Sequence, residues 1–388
     1  MTYLCSFVDS SLYIKGIMSK ILKYPKYALI MVFTIINVIC IVGLNVCAYS
    51  AYINPASHPN FSILGMAFPV FLIATGFFIF FWMIFKPKFM LISIVGMLLC
   101  AGSVRTYCPV NFFKSEAPEG SLKVMSFNIC HLEWGNSDEI DKNDPLYCIP
   151  SAKHPTVEYL ANSNADIICC QEASNLDKAE IQEKLTKIYP YQNLEIKRAT
   201  RLGVLSKFPI LSAEKIEIET KTNVAAAYEL LLGEGDTLLL INCHLESYKL
   251  AKEDKDEYES IIKNPEVTEN RQYIDSLSTK LSRADVIRSA QADRIAEFID
   301  SCRHKKIILC GDFNSSSISY VHHRLTRKLN DAYTRSANGP GVSYYRSSMY
   351  FRIDHILCSP NFTSYGAKVD SKIKTSDHYP IYCWLKDK

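Results

Sequence analysis

An aspartate and an asparagine, two residues apart, follow an apolar run in the C-terminal half of the chain. Residues 307–310 predict a buried strand, and Gly311 ends that run so that Asp312 and Asn314 emerge beside each other. Side chains two apart in an extended segment point the same way. One of them can take a proton from water while the other holds a phosphate oxygen or a metal ion, so this pair is a candidate catalytic site.

Five predicted strands share this pattern, in which an apolar run borders a side chain that can bind a metal, an oxygen or a proton. One such case is typical of a turn or of a surface acid. Five along one chain favour an active site built where the strands end. The residues are Asn128, Glu172, His244, Asp312 with Asn314, and Asp377 with His378; Asp354 lies inside a sixth predicted strand, 351–357.

The candidate ligands indicate a hard cation. Asparagine and carboxylate oxygens suit Mg²⁺ or Mn²⁺ better than Zn²⁺. The 14 cysteines include no Cys-x-x-Cys pair, which argues against a structural zinc site, and most of them lie in apolar, strand-like runs. We therefore interpret them as small buried side chains rather than as a disulfide framework.

Three long apolar runs precede these motifs. They cover residues 27–49, 62–85 and 89–104, carry no charged side chain and have no amphipathic period; Lys86 and Lys88 lie between the second and third. Runs of this length and composition predict about three transmembrane helices, although the third is short for a span. We expect a membrane anchor over 1–104, a linker over 105–120 and a catalytic domain over 121–388.

Basic residues predict the orientation of the anchor. Four lysines precede the first run, none lies between the first and second, and two lie between the second and third. Because basic loops stay in the cytoplasm, three spans would place the domain after Arg105 outside. The first 120 residues carry eight Lys or Arg and three Asp or Glu, whereas the remainder is slightly acidic, with 35 against 37. That balance argues against a non-specific nucleic-acid binder.

The motifs, in their order, resemble those of the endonuclease/exonuclease/phosphatase superfamily, the deoxyribonuclease-I-like fold. The resemblance covers residues 121–388 and leaves the anchor unexplained. It implies an α+β fold, an αββα sandwich of two packed sheets with helices outside. The motifs are Met-Ser-Phe-Asn128, Gln-Glu172, Asn-Cys-His244-Leu, Gly-Asp312-Phe-Asn314, Arg-Ile-Asp354-His-Ile and Ser-Asp377-His378.

The resemblance also implies a role for each matching residue in metal-dependent hydrolysis of a phosphoester. Some family members have an acid where this chain has Cys130, and many have an aspartate where it has Ser315, so the number of metal ions stays open. The implied roles are metal binding for Asn128, Glu172 and Asp377; activation of water for Asp312; contact with phosphoryl oxygens for Asn314 and His244; transition-state stabilisation for His378; and support of one of the two histidines for Asp354.

The substrate stays open among a lipid, a nucleic acid and a small molecule, because the superfamily hosts several activities. We expect a membrane-anchored phosphoesterase, with an extracytoplasmic nuclease and a non-catalytic binding module as alternatives. Tethering near a bilayer favours a lipid-borne phosphoester. The charged segment after Glu246 is a candidate wall of the substrate cleft, Arg201 is a candidate phosphate contact, and nothing in the sequence indicates an obligatory protein partner.

Overall fold

The structure, a computed structural model, describes residues 2–112, 115–132, 153–220, 222–263, 271–346 and 349–388. The chain divides into two compact units, of which the first combines Met1–Ala48 with Ala67–Ala101 and the second combines Tyr49–Met66 with Gly102–Lys388. The boundaries expected at residues 104 and 120 remain predictions. By its contacts, the segment between the first two apolar runs belongs to the second unit.

Apolar helices form the first unit. The described residues contain two segments long and apolar enough to cross a membrane, Lys26–Ser50 and Pro59–Phe85, and a third if the pair Pro87–Leu99 and Ala101–Tyr107, bent by 74°, is one span. The helices of the first unit are α1 (Thr2–Ser50), α3 (Phe68–Phe85) and α4 (Pro87–Leu99). Helix α2 (Pro59–Ser62), most of a 3₁₀ turn at Ile63–Ala67 and most of α5 (Ala101–Tyr107) belong to the second unit.

Small and polar side chains join α1 to α4. The buried Ser93 hydroxyl lies 3.0 Å from the Asn37 Oδ1 atom. The Asn45 side chain donates to the carbonyl of Gly96 at 3.0 Å, and a Cβ at Gly96 would lie 2.4 Å from Ile41. Close backbone approach at a small residue and polar contacts between helices are features of helix packing in lipid. Large apolar side chains on the outside, such as Ile73 at 73% exposure, suit the same surroundings.

Two six-stranded sheets form the centre of the second unit. The first has the order β11-β12-β1-β2-β4-β3, and the second has the order β5-β6-β7-β8-β10-β9. The strands are β1 (Leu122–Asn128), β2 (Ile167–Gln171), β3 (Tyr191–Asn193), β4 (Gly203–Ser206), β5 (Ile210–Ile216), β6 (Val224–Gly233), β7 (Asp236–His244), β8 (Ile307–Asp312), β9 (Asn330–Asp331), β10 (Asp354–Cys358), β11 (Phe362–Val369) and β12 (Ile381–Asp387).

The core lies in three layers. Side chains of both sheets, such as Val124, Tyr228 and Leu240, interdigitate between the sheets. Helices α6 (Pro155–Asn162) and α7 (Ala179–Leu185) cover the outer face of the first sheet, and α9 (Arg271–Ser301) and α10 (Tyr320–Leu325) cover that of the second. This arrangement confirms the predicted αββα sandwich. Two further helices are α8 (Lys252–Lys263) and α11 (Ala332–Ser336).

The elements differ from the sequence prediction in detail. The sequence predicts a helix over residues 284–302 and partial helix in the charged segment before it, and the single helix α9 covers Arg271–Ser301. The sequence also predicts one strand over residues 203–210, but the chain turns after Ser206 and starts β5 at Ile210. In the turn, the Ser206 hydroxyl accepts from the Phe208 amide at 2.9 Å, which stabilises the reversal.

Candidate active site

Parallel pairing brings the functional strand ends together. In the first sheet β1 and β2 are parallel, with Asn128 opposite Gln171, so that Glu172 follows directly beside Asn128. In the second sheet β7 and β8 are parallel, with His244 opposite Asp312. Carboxyl ends of parallel strands lie at one edge of a sheet, and both edges here face the same cleft.

A glycine permits the close spacing of β7 and β8. Gly311 has a φ of 156°, and a Cβ at this position would lie 2.0 Å from the carbonyl oxygen of Cys243. No other residue fits there without moving a strand. Gly311 therefore allows β8 to approach β7 closely enough for Asp312 to lie directly opposite His244.

Asp312 lies at the centre of the site. It is 1% exposed, and its Oδ2 atom accepts a hydrogen bond from the Asn128 side chain at 3.1 Å. The same oxygen lies 3.6 Å from Nε2 of His378 and 3.7 Å from Nε2 of His244. Two imidazoles and one amide thus surround a buried carboxylate.

Glu172 faces Asp312 across the Asn128 amide. Its Oε1 atom accepts from the Asn128 Nδ2 atom at 3.2 Å and lies 3.8 Å from Nε2 of His244. His131 approaches the other oxygen, with Nε2 3.3 Å from Oε2. The φ of Glu172 is 51°, which is uncommon for a residue with a Cβ and indicates local strain held by its surroundings.

A second carboxylate holds His378. The Nδ1 atom of His378 lies 2.8 Å from Oδ2 of Asp354, which is fully buried. Burial alone would lower the pKa of His378, but the carboxylates of Asp354 and Asp312 outweigh it and keep this pKa well above its ordinary value. Burial raises the pKa of Asp354, partly offset by His378. With Nδ1 fixed, His378 presents Nε2 to the cleft.

Asn314 and Asp377 complete the predicted set. The Asn314 amide N–H donates to Oδ1 of Asp312 at 2.8 Å, and its side chain donates to the Leu245 carbonyl at 3.0 Å. Asp377 lines the cleft, and the neighbouring Ser376 hydroxyl donates to the carbonyl of Asn128 at 2.8 Å. All eight site residues of the sequence prediction therefore lie together.

The cleft has a volume of about 290 Å³. Candidate site residues that line it include Glu172, His244 and Asp312, and the segment that follows His244 lines it as well. Lining residues from that segment are Ser247, Tyr248, Lys249, Leu250 and Lys255. Arg201 is not among the lining residues; it pairs instead with Asp177.

A polar contact between the two sheets escaped the sequence analysis. Asn242, fully buried, donates to the carbonyls of Cys170 and Gly203 at 3.1 Å each, and its Oδ1 accepts from Gln171 at 2.8 Å. Gln171 precedes Glu172, and Asn242 lies two residues before His244. These bonds therefore fix the separation of two site residues that belong to different sheets. We call the pair Gln171 and Asn242 the inter-sheet clamp.

Two side chains in the site were also missed. His131 contacts Glu172 only because the chain reverses through positive φ at residues 130–132, and no local pattern predicts that reversal. Tyr344 lines the cleft with its ring 5.1 Å from that of His378 in an edge-on arrangement. In the sequence Tyr344 is marked only by the neighbouring Tyr345, in a segment without strand or helix periodicity, so its place in the site could not be predicted.

The donor set fits a hard divalent cation. Carboxylates of Glu172 and Asp312 converge on one amide, and Asp377 lines the same cleft, so the oxygen donors and their negative charge match what Mg²⁺ or Mn²⁺ prefers. The Asn128 oxygen accepts from the Cys130 amide at 3.1 Å, so the side-chain amide would have to turn over to offer it to a metal.

A second group of potential ligands is less suited to a cation. His322, Asp331 and His355 place ligand atoms within 4.8 Å of one another and are buried. The Arg352 guanidinium lies 3.5 Å from the Asp331 carboxylate and already neutralises it. We interpret this group as a buried structural ion pair.

Known families match two parts of the chain. The model of the Endonuclease/Exonuclease/phosphatase family matches residues 125–378, and a model described as a domain of unknown function (DUF8431) matches residues 29–107. No curated protein matches the chain.

Several solved structures are similar to the chain. An endonuclease/exonuclease/phosphatase from Beutenbergia cavernae DSM 12333 aligns over 69% of this chain and 72% of its own, with 12% identity and a TM-score of 0.50. A family protein from Bacteroides thetaiotaomicron aligns over 69% and 98%, with 16% identity and a TM-score of 0.49. A mannosyl-6-phosphatase from Bacteroides thetaiotaomicron VPI-5482 aligns over 69% and 100%, with 16% identity and a TM-score of 0.47. At such identities the likeness to the first of these shows the fold alone.

Proposed function

The chain belongs to the endonuclease/exonuclease/phosphatase family, and from this membership we propose that it is a membrane-anchored, metal-dependent phosphoesterase. Members of the family hydrolyse phosphoric esters, and the chain is an enzyme of this class. The observation that carries the proposal is the convergence on Asp312, where one buried carboxylate faces both histidines and the amide of Asn128. Such a site can activate water and stabilise a charged phosphoryl group side by side.

Each side chain then has a role that follows from its contacts. Asp312 orients the attacking water and accepts its proton, because its Oδ2 atom is buried beside the cleft. His378, held by Asp354 and charged, donates from Nε2 to the phosphoryl oxygens as negative charge develops there. His244 and Asn314 hold the same oxygens from the β7 and β8 side. A cation held by Asn128, Glu172 and Asp377 would supply charge neutralisation at the phosphoryl group.

The metal and the base are tested on the full-length protein in detergent. Hydrolysis should require Mg²⁺ or Mn²⁺ and be lost with EDTA, and Asp312→Asn should lower kcat by about 100-fold or more. Asp300→Asn, which changes an exposed carboxylate on α9, is the matched control and should keep wild-type kcat. Full activity in EDTA would refute the metal, and wild-type kcat in Asp312→Asn would refute the base.

A panel of substrates separates the phosphoesterase from the nuclease alternative. The panel contains DNA, RNA, phospholipids and sugar phosphates, each with Mg²⁺. Within the described part of the chain, the Lys or Arg side chains that line the cleft are Lys249 and Lys255, which is a small basic surface for a nucleic-acid backbone. Efficient degradation of plasmid DNA with no turnover of the other substrates would favour the nuclease.

We also propose that the catalytic unit lies outside the cytoplasm, as the lysines around the first apolar helix suggest. Supporting this, Tyr49–Met66 and Gly102–Lys388 belong to one compact unit, so both must lie on the same side of a bilayer. The chain between them then crosses an even number of times, which requires that α4 crosses the bilayer back after α3. A reporter fused after Lys388 that is active only in the cytoplasm would refute this topology.

A further inference from the structure

The segment between the first two apolar helices packs closely against the loop that follows Asn314. A Cβ at Gly65 would lie 2.1 Å from the carbonyl oxygen of Ile318, so only glycine allows this approach. Ile318 is buried and lines the cleft. Ser62 and Met66, on either side of Gly65, are partly buried and line the same cleft. We call residues 62–66 the wall segment. It comes from a different part of the sequence than any catalytic motif.

Met66 is linked to the loop after His244. The Tyr248 hydroxyl lies 3.9 Å from the sulfur of Met66, within reach of a weak hydrogen bond. The Tyr248 ring lies over the guanidinium of the fully buried Arg288 at 4.1 Å, and Arg288 donates to the carbonyl of Glu246 at 2.7 Å. Arg288 therefore holds the loop after His244 in place, and the loop contacts the wall segment through the Tyr248 hydroxyl.

Contacts further along hold the same connection in place. The Asn54 side chain donates to the Tyr320 hydroxyl at 3.2 Å, and that hydroxyl donates to Asp293 on α9 at 3.0 Å. The Tyr52 ring lies 4.2 Å from the ring of His323. Together with Gly65, these contacts dock the whole connection on α9 and α10 and position the wall segment at the cleft.

The wall segment adds an apolar side chain, Met66, to the lining of the cleft. Four other described lining residues outside the wall segment, Ile318, Met349, Phe351 and Ile353, are also apolar, and the lysines among the described lining residues are Lys249 and Lys255. A phosphate alone would need only the candidate site residues and the lysines. Apolar side chains in the same cleft have a use when the group esterified to the phosphate is itself apolar.

We propose that the wall segment is a specificity element, in which Met66 and its apolar neighbours bind the hydrocarbon part of a lipid phosphoester. This inference rests on the proposed phosphoesterase function and assigns its substrate class. It predicts that a hydrocarbon chain on the substrate increases kcat/KM through KM, and that Met66 carries a large share of the gain.

The test uses the full-length protein in nanodiscs, with Mg²⁺ and with substrates below their micelle concentrations. Two pairs share a phosphate group and differ in hydrocarbon: methyl and octyl p-nitrophenyl phosphate for diesters, and glycerol 3-phosphate and its 1-octanoyl ester for monoesters. The pair that the wild-type enzyme hydrolyses is used for the variants. If no substrate in either pair is hydrolysed at a rate above that of Asp312→Asn, the proposed function fails, and this inference fails with it.

Met66→Gln should lower kcat/KM for the octyl or octanoyl substrate about tenfold, since it removes an apolar contact surface of one side chain. The short substrate should change less than twofold, which also shows that the variant is folded. Met66→Leu should restore the preference for the long chain. Phe61→Gln, on the same connection but outside the cleft lining, is the matched control and should behave like the wild type.

Two results would overturn the inference while the phosphoesterase function stands. One is a wild-type enzyme that hydrolyses the short and the long substrate with equal kcat/KM. The other is an equal loss on both substrates in Met66→Gln, which would make the wall segment a structural support only.

Discussion

Replacing Asn242 by leucine removes the inter-sheet clamp and tests whether it sets both stability and site geometry. Asn242 makes three hydrogen bonds, all to buried partners in the first sheet. Leaving a buried partner unsatisfied costs about 1 kcal/mol each at the low end, so the loss should be about 3 kcal/mol. For a unit of this size that corresponds to a fall in apparent Tm of about 5 °C.

The assay is a thermal scan at one fixed rate, followed by kcat at 25 °C on the preferred substrate. Because the clamp spaces Glu172 from His244, we expect kcat to fall about tenfold or more in Asn242→Leu even where the protein stays folded. Asn361→Leu, at an exposed asparagine, is the control and should leave both quantities unchanged. The variant that also carries Gln171→Leu should lose less stability than the two single losses added together, since it leaves fewer unpaired groups.

An apparent Tm of Asn242→Leu within about 2 °C of the wild type would refute the energetic argument, because it would mean that three buried hydrogen bonds contribute almost nothing. A normal kcat in a destabilised variant would refute the positional argument alone. The clamp would then hold the sheets together without setting the distance between their catalytic ends.

Two further predictions concern buried carboxylates. Asp354→Asn should lower kcat about 10- to 100-fold in steady-state assays, with little change in KM, because His378 loses a charge-assisted hydrogen bond; a kcat within twofold of the wild type would contradict this role. Burial alone would raise the pKa of Asp331, but Arg352 and His322 hold it far below its ordinary value, so its contribution to stability is present above about pH 4 and is lost as the pH falls further. Asp331→Asn should therefore be less stable than the wild type at pH 7 in thermal scans, with the difference shrinking in acid; parallel curves for the two proteins would argue against this assignment.

The strand-end residues could be found from the sequence because each depends on local pattern. An apolar run followed by an acid, amide or imidazole places that side chain at the end of a strand. Parallel pairing of β1 with β2 and of β7 with β8 then brings these strand ends next to each other. The sandwich was predicted from the ordered motifs through their resemblance to a family. The assignment of chemical roles to these residues remains a prediction.

Non-local contacts explain what the sequence analysis missed. The clamp depends on which strand of one sheet faces which strand of the other, and neither Gln171 nor Asn242 carries a local signal of that. The sequence predicted only partial helix in the charged segment and did not give the start of α9, although Leu277, Leu281 and Ala284 continue its apolar spacing. The docking of residues 49–66 depends on the tight approach at Gly65, which no periodicity reveals.

Two site residues have a backbone conformation that lowers stability and is needed to place their side chains in the site. Glu172 and Asn314 have φ angles of 51° and 48°, a conformation that costs a residue with a Cβ about 1 kcal/mol or more. Glycine at either position would relieve this cost and remove a functional side chain. Selection of variants for heat resistance alone would therefore favour glycine at these two positions and lower the activity. Glu172 and Asn314 are retained only under selection for activity.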